Sequence, residues 1–191
     1  MSVIVAVKEN GVVYMGADTQ TSTAVTKNNY ANATRFKIRK LSNGILVGTC
    51  GVVRVSQLIT ENRDLFSLDE NGNLTKTHIV RNIVPKIIDI LSKDDRFEKD
   101  GTMSLVLLLA HKGRMFRIND DFAVYEAAEY VAIGAGRCYA AYPLSDKTKT
   151  VRERILGALR ESSRRIDSVS APFVLTDTKN AEFEVCYDCR D

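Results

Sequence analysis

The segment from Ser2 to Asp18 constrains the fold more than any other part of the chain. It consists of two apolar runs separated by Asn10-Gly11, and this dipeptide between apolar runs is the strongest short-range signal for a β-hairpin. Two antiparallel strands are therefore predicted, near 2–8 and 12–18. A hairpin that begins at residue 2 places the start of the chain inside the fold.

Ser2 is a candidate nucleophile, because removal of Met1 would leave an α-amine and a hydroxyl on the same residue. An α-amine titrates near pH 7.7–8.0, so a good fraction of it is neutral at about pH 7.4 and can accept the hydroxyl proton without a separate histidine. Many chains begin with Met-Ser, so the hypothesis depends on the residues that follow.

Apolar spacing along the rest of the chain predicts groups of strands alternating with groups of helices. After a longer loop, helical periodicity begins at Val52, continues to Phe66, and begins again at Ile79, where Pro85 predicts a kink or a later start. Other helices are predicted near 136–145 and 150–165, and other strands near 36–42, 45–51, 103–110, 114–118, 121–126, 129–134, 172–177 and 182–188. This order is typical of an α+β protein in which two antiparallel sheets lie between helical layers.

Size and composition indicate a single domain, 1–191, with 45% hydrophobic and 27% charged residues. The net charge of +3 is only mildly basic, and Arg160, Arg164 and Arg165 follow a helical pattern, so no nucleic-acid partner is expected. The chain has no apolar run of membrane-spanning length and no hydrophobic signal segment. We therefore expect a cytoplasmic protein without a membrane partner.

The chain has four cysteines: Cys50, Cys138, Cys186 and Cys189. They are too scattered for a disulfide framework, so reduced thiols are expected. Cys186-x-x-Cys189 admits a metal or redox interpretation, but a zinc site needs four ligands and the chain has only two histidines. Incidental thiols on a surface tail are the simpler interpretation, and no metal or cofactor is expected.

Asp18 ends the predicted hairpin 16 residues after Ser2, Lys37 begins the run Lys-Ile-Arg-Lys-Leu, and Gly51 follows Lys37 by 14 positions. This order and spacing resemble those of the proteasome β-subunits and bacterial HslV, which are N-terminal-nucleophile (Ntn) hydrolases. The resemblance implies that Ser2 is the nucleophile, Asp18 the buried catalytic aspartate, Lys37 the catalytic lysine and Gly51 the oxyanion-hole glycine. The stretch from Asp18 to Lys37 is about three residues longer than in the family, which predicts an insertion among 26–34.

Two later segments extend the resemblance. Asp167-Ser168-Val169-Ser170 resembles the family's Asp-x-x-Ser, which implies that Asp167 and Ser170 orient the amine of Ser2. The run 132–136 resembles the family's Gly-Ser-Gly, but Ala135 stands where the family has a serine that contacts this amine. The departure implies a lower rate, or a member with altered or lost activity.

Asp18 and Lys37 also have simpler interpretations. Asp18 alone is compatible with a turn or a helix cap. Lys37 alternates with Phe36 and Ile38 in the predicted strand, so it faces solvent unless its side of the strand meets the buried nucleophile. In that second case a lysine paired with Asp18 is expected.

The resemblance implies a four-layer αββα sandwich and hydrolysis of peptide bonds in peptides or unfolded proteins by Ser2. It also implies a homo-oligomeric ring, with an ATPase unfoldase as a candidate partner. A neutral substrate pocket is expected near Thr49 and Val53. Two alternatives stay open: a stand-alone Ntn amidase or peptide ligase, and a catalytically silent structural ring subunit, which Ala135 favours.

Overall fold

The computed structural model describes residues 2–22, 27–29, 37–62, 64–94, 101–180 and 182–187. The first half of the chain forms β1 (Val3–Glu9), β2 (Val12–Asp18), β3 (Gln20–Ser22), β4 (Lys27–Asn29), β5 (Ile38–Lys40) and β6 (Leu46–Gly51). The second half forms β7 (Leu105–His111), β8 (Arg114–Ile118), β9 (Val124–Ala127), β10 (Tyr130–Gly134), β11 (Phe173–Asp177) and β12 (Glu184–Cys186).

These strands form two antiparallel five-stranded sheets and one short ribbon within the described part of the chain. The N-terminal sheet has the order β10-β1-β2-β11-β12, the second sheet has the order β5-β6-β7-β8-β9, and β3 pairs with β4. The predicted hairpin is confirmed, because β1 and β2 pair across the Asn10–Gly11 turn with Ile4 opposite Ala17. Ser2 therefore sits beside the end of β2.

Helices cover the outer face of each sheet. They are α1 (Val53–Thr60), α2 (Lys76–His78), a π-helical stretch (Ile79–Ile83), α3 (Val84–Ser92), α4 (Arg137–Ser145) and α5 (Val151–Arg165). None of the helices in the described ranges is both long and apolar enough to cross a membrane.

Three buried apolar clusters hold the layers together. Ile59, Ile83 and Phe116 belong to the cluster between α1–α3 and the second sheet. Ile4 and Leu108 belong to the cluster between the two sheets, and the third cluster joins the N-terminal sheet to α4 and α5. Since burial of one such side chain stabilises a fold by about 1.5–3 kcal/mol, these clusters fix the sandwich. The predicted four-layer αββα architecture is confirmed.

The helix predicted from Val52 is shorter than its apolar spacing indicates. It begins at Val53 and ends at Thr60, and Leu65 and Phe66 reach the same core from the following loop. The ribbon of β3 and β4 lies where only a loop was expected. Its six residues are all polar, and each strand has only three residues. No alternating apolar pattern therefore marks these strands in the sequence. Most of the predicted insertion at 26–34 lies outside the described residues.

A π-helical stretch accommodates Pro85. The N–H of Val84 donates to the carbonyl of Ile79, five residues earlier. Proline has no N–H and its ring crowds the carbonyl four residues before it, so a helix near proline needs a different hydrogen-bond pattern. Pro85 then lies in the first turn of α3, where a missing N–H is tolerated.

Candidate active site

Ser2 is held at its main chain by the connection between β10 and α4. The residue is 8% exposed, and its carbonyl oxygen accepts the N–H of Gly136 at 3.4 Å. Gly134 approaches the same carbonyl so closely that a Cβ there would lie 2.2 Å from it and 2.9 Å from Cys50 Sγ. A side chain at 134 would therefore displace Ser2 or the strand that carries Cys50.

Asp18 is fully buried and is the centre of the polar contacts around Ser2. Its Oδ1 accepts the N–H of Val3 at 2.9 Å. Its Oδ2 accepts the N–H of Gln20 at 3.2 Å and Lys37 Nζ at 2.6 Å. The carboxylate thus connects the lysine to the peptide group that directly follows the candidate nucleophile.

The pair of Asp18 and Lys37 is largely removed from water, since the lysine side chain is only 13% exposed. Burial raises the pKa of Asp18 above its usual range, while the Lys37 ammonium and the N–H groups of Val3 and Gln20 oppose that rise. Removing one partner of such a pair leaves an uncompensated charge or a buried polar group. The sequence-based pairing of Lys37 with Asp18 agrees with this geometry.

Lys37 is positioned by β6. Its carbonyl oxygen accepts the N–H of Thr49 at 3.0 Å. Lys37 therefore lies opposite Thr49, which precedes Gly51 by two residues on β6. Gly51 ends β6 with a φ of +148°, and a Cβ there would lie 2.2 Å from the carbonyl oxygen of Ser104. Only glycine fits this position. Gly51 is exposed, so a ligand can reach its main chain.

The predicted pocket residues lie on β6 and α1. Thr49 is buried, and its hydroxyl oxygen lies 2.7 Å from that of Ser56. Val53 is 52% exposed and shares a helix face with Ser56, because the two are three residues apart. Ser56 was not predicted from the sequence, although this spacing from Val53 is a signal that would have found it.

The segment with Asp167 and Ser170, which resembles the family's Asp-x-x-Ser, forms a turn between α5 and β11. Its main chain reaches the site, because the carbonyl oxygen of Asp167 accepts Gln20 Nε2 at 3.1 Å. Asp167 itself is exposed and Ser170 is half-buried. The Ser168 hydroxyl oxygen is buried and has no hydrogen-bond partner among the described residues.

Sequence reasoning missed Gln20 and Ser162. Gln20 is 2% exposed and follows the buried pair Asp18 and Thr19. Ser162 is fully buried on α5, and its hydroxyl lies 3.0 Å from the carbonyl oxygen of Gly136. Three successive polar residues at the end of an apolar strand are a usable signal for Gln20, since buried polar side chains require specific partners.

Cys50 lies beside this site as a neutral, buried thiol. Burial raises its pKa to about 12, although Lys37 opposes that rise. No three His, Cys, Asp or Glu side chains within the described ranges are grouped closely enough to hold a metal ion. Cys189, the second cysteine of the Cys-x-x-Cys motif, lies outside the described residues.

The family model for proteasome subunits matches residues 2–156. Similar solved structures include BPH from Thiobacillus denitrificans in complex with epoxomicin, with 17% identity, a TM-score of 0.72, and coverage of 92% of this chain and 97% of that chain. Anbu (ancestral beta-subunit) from Yersinia bercovieri has 16% identity and a TM-score of 0.71, with coverage of 98% and 87%. Eukaryotic HslV from Trypanosoma brucei has 16% identity and a TM-score of 0.64, with coverage of 92% and 98%.

These structural likenesses, at such low identity, concern the fold. The sequences of curated proteins give no match. The family match, in contrast, extends over most of the chain and includes Ser2, Asp18, Lys37 and Gly51. The chain belongs to the proteasome subunit family.

Proposed function

We propose that the protein hydrolyses peptide bonds with Ser2 as its nucleophile after removal of Met1. The observation that carries this proposal is the ion pair between Asp18 and Lys37, with 2.6 Å between Oδ2 and Nζ. Asp18 Oδ1 also binds the N–H of Val3, next to Ser2. A buried ion pair is weak as a source of stability, and ionisable groups with a shifted pKa are concentrated at functional sites.

In this mechanism the neutral α-amine of Ser2 accepts the proton of the Ser2 hydroxyl, directly or through water. The hydroxyl oxygen then attacks the scissile carbonyl carbon, and the amine passes its proton to the leaving amine. The Lys37 ammonium, held by Asp18, stabilises the negative charge that develops on the serine oxygen. Water then hydrolyses the resulting ester and frees Ser2.

The main-chain N–H of Gly51 is proposed as the donor to the tetrahedral oxyanion. Support comes from its exposure and from the crowding against Ser104, which excludes any side chain at position 51. Preorganised donors of this kind stabilise a transition state without reorganisation during the reaction. Thr49 and Val53 are proposed to line a neutral pocket beside it.

Asp167 and Ser170 are proposed to orient the α-amine, with their turn held against Gln20. Ala135 favours the alternative of a silent structural subunit, since it lacks the hydroxyl found there in the family. A stand-alone Ntn amidase or peptide ligase is the other alternative, and it would need no ring. The proposed substrates are peptides or unfolded proteins in the cytoplasm, delivered by an ATPase unfoldase to a homo-oligomeric ring.

Ser2 variants test the proposal. Ser2→Ala is expected to abolish peptide hydrolysis with the fold intact, because it removes the hydroxyl nucleophile, whereas Ser2→Thr is expected to keep activity. A peptide epoxyketone should add its mass at residue 2 of the mature protein, as measured by intact and peptide mass spectrometry. Ser92→Ala is the matched control, because the exposed Ser92 hydroxyl donates to the carbonyl oxygen of Asp89 on its own helix, away from Ser2.

Two results would contradict the mechanism. Equal turnover by Ser2→Ala would exclude Ser2 as the nucleophile. Retention of Met1 in protein from its native host would remove the base and favour the silent subunit.

A further inference from the structure

Gln20 joins two parts of the candidate site that are far apart in sequence. Its main-chain N–H donates to Asp18 Oδ2 at 3.2 Å. Its side-chain amide donates to the carbonyl oxygen of Asp167 at 3.1 Å, across 147 positions of sequence. One residue therefore connects the Asp18 carboxylate with the turn after α5.

A second contact holds the other end of the same turn. The hydroxyl of Thr19 donates to the carbonyl oxygen of Pro172 at 2.8 Å. Thr19 and Gln20 are 5% and 2% exposed, so water does not easily replace either contact. Together the two side chains fasten the segment 167–172 to the end of β2.

The geometry points to Gln20, assisted by Thr19, as a positioning residue for the amine of Ser2. This inference rests on the proposed function, in which Asp167 and Ser170 orient that amine. Gln20 does not touch the reacting atoms. It acts by holding the main chain of the turn in register with Asp18, which binds the peptide group after Ser2.

The carboxamide of glutamine suits this position for a chemical reason. Asp167 presents a carbonyl oxygen, which requires a donor, and a neutral amide supplies one without adding a charge beside the buried pair of Asp18 and Lys37. A carboxylate at position 20 could only accept hydrogen bonds, and a methionine side chain would donate none and accept only weakly. Both would release the turn while the backbone contact to Asp18 is kept.

Gln20→Met tests the inference, because methionine has a similar length and suits a buried position. We expect faster hydrogen exchange in the segment 166–171, where the N–H of Val169 bonds to the carbonyl of Ile166. We also expect kcat for a fluorogenic peptide to fall on the order of 10- to 100-fold. A displacement of a catalytic group by about 1 Å can lower a rate by a factor of this size. KM should stay within about twofold, because the contact does not involve the substrate.

Thr19→Val is the second variant, and it keeps shape and burial at its position. It is expected to produce the same two changes to a smaller extent. Thr176→Val is the matched control, because it removes a similar buried contact, from the Thr176 hydroxyl to the carbonyl of Glu182 at 3.0 Å, at the opposite end of β11. The control should leave both kcat and the exchange of the turn unchanged.

Several results would overturn the inference. Unchanged exchange in 166–171 would show that Gln20 does not hold the turn. Faster exchange with an unchanged kcat, or a raised KM alone, would exclude the positioning role. If an epoxyketone fails to label the unsubstituted mature protein at Ser2, the proposed function is wrong and the catalytic part of the inference falls with it, while exchange still decides the contact.

Discussion

Lys37 lies 2.6 Å from a fully buried carboxylate, so its removal affects both catalysis and stability. Lys37→Met is expected to lower kcat/KM by about 100-fold or more, because one preorganised electrostatic contact is worth about 3–4 kcal/mol in a transition state. It should also lower the free energy of unfolding by about 3 kcal/mol, because Asp18 loses its partner. Peptide hydrolysis and urea unfolding measure the two effects.

A double variant separates these effects. Lys37→Met with Asp18→Asn should recover much of the stability without recovering the rate, since the buried charge is gone but the ammonium is still missing. Lys40→Met is the matched control, because Lys40 Nζ donates instead to the carbonyl oxygens of Asp177 and Asn180. Loss of rate in Lys40→Met equal to that in Lys37→Met would argue against a specific role for Lys37.

The thiol of Cys50 should be unreactive although it lies beside the site. Its pKa of about 12 leaves it protonated at pH 8, and the thiolate is the reactive form. Iodoacetamide at pH 8 should therefore modify the exposed Cys138 and leave Cys50 unmodified, as measured by peptide mass spectrometry. After unfolding in guanidinium, both Cys50 and Cys138 should react. Rapid alkylation of Cys50 in the folded protein would contradict the burial of its thiol.

Elements with a strong local pattern could be predicted from the sequence. The β1–β2 hairpin is one, because its two apolar runs and the Asn10–Gly11 turn between them lie within a few residues of one another. The end of α1 could not be predicted, because Leu65 and Phe66 continue the apolar spacing from a loop. Apolar spacing in the sequence indicates which residues are buried. Tertiary contacts decide whether a helix or a loop carries those residues.

The candidate site, too, could be predicted only in part from the sequence. Asp18 and Lys37 were identified by resemblance in spacing, and the structure places them in contact. Gln20 was missed because its side-chain partner, Asp167, is 147 positions away and binds through a main-chain atom. No side-chain type at position 167 would have revealed that contact.

α5 begins with a capping box that should stabilise the helix leading to the Asp167 turn. The Thr150 hydroxyl accepts the N–H of Glu153, and the Glu153 carboxylate accepts the N–H of Thr150 at 2.9 Å. Thr150→Ala is expected to lower the free energy of unfolding by about 1 kcal/mol. Thermal unfolding measures this loss, and Thr150→Ser, which keeps the hydroxyl, is the control. An equal loss in Thr150→Ser would exclude the cap as its cause.

The helical layer over the second sheet leaves apolar side chains exposed on its outer surface. Val53, Val80 and Ile88 are 52%, 45% and 38% exposed, and they lie on α1, the π-helical stretch and α3. Proteasome-type subunits typically form oligomeric rings. An apolar surface on a subunit of this family is therefore suited to contact another copy.

Oligomeric state tests this view of the surface. Light scattering at micromolar concentration is expected to give a multiple of the 21.3 kDa chain mass. Ile88→Lys should shift the protein towards smaller species, because it places a charge in the proposed contact. Lys86→Glu is the matched control on the same helix, since two residues correspond to about 200° of rotation and place it away from Ile88. A stable monomer that still cleaves peptides would contradict the ring and favour a stand-alone amidase, because an unconfined site would then be sufficient for hydrolysis.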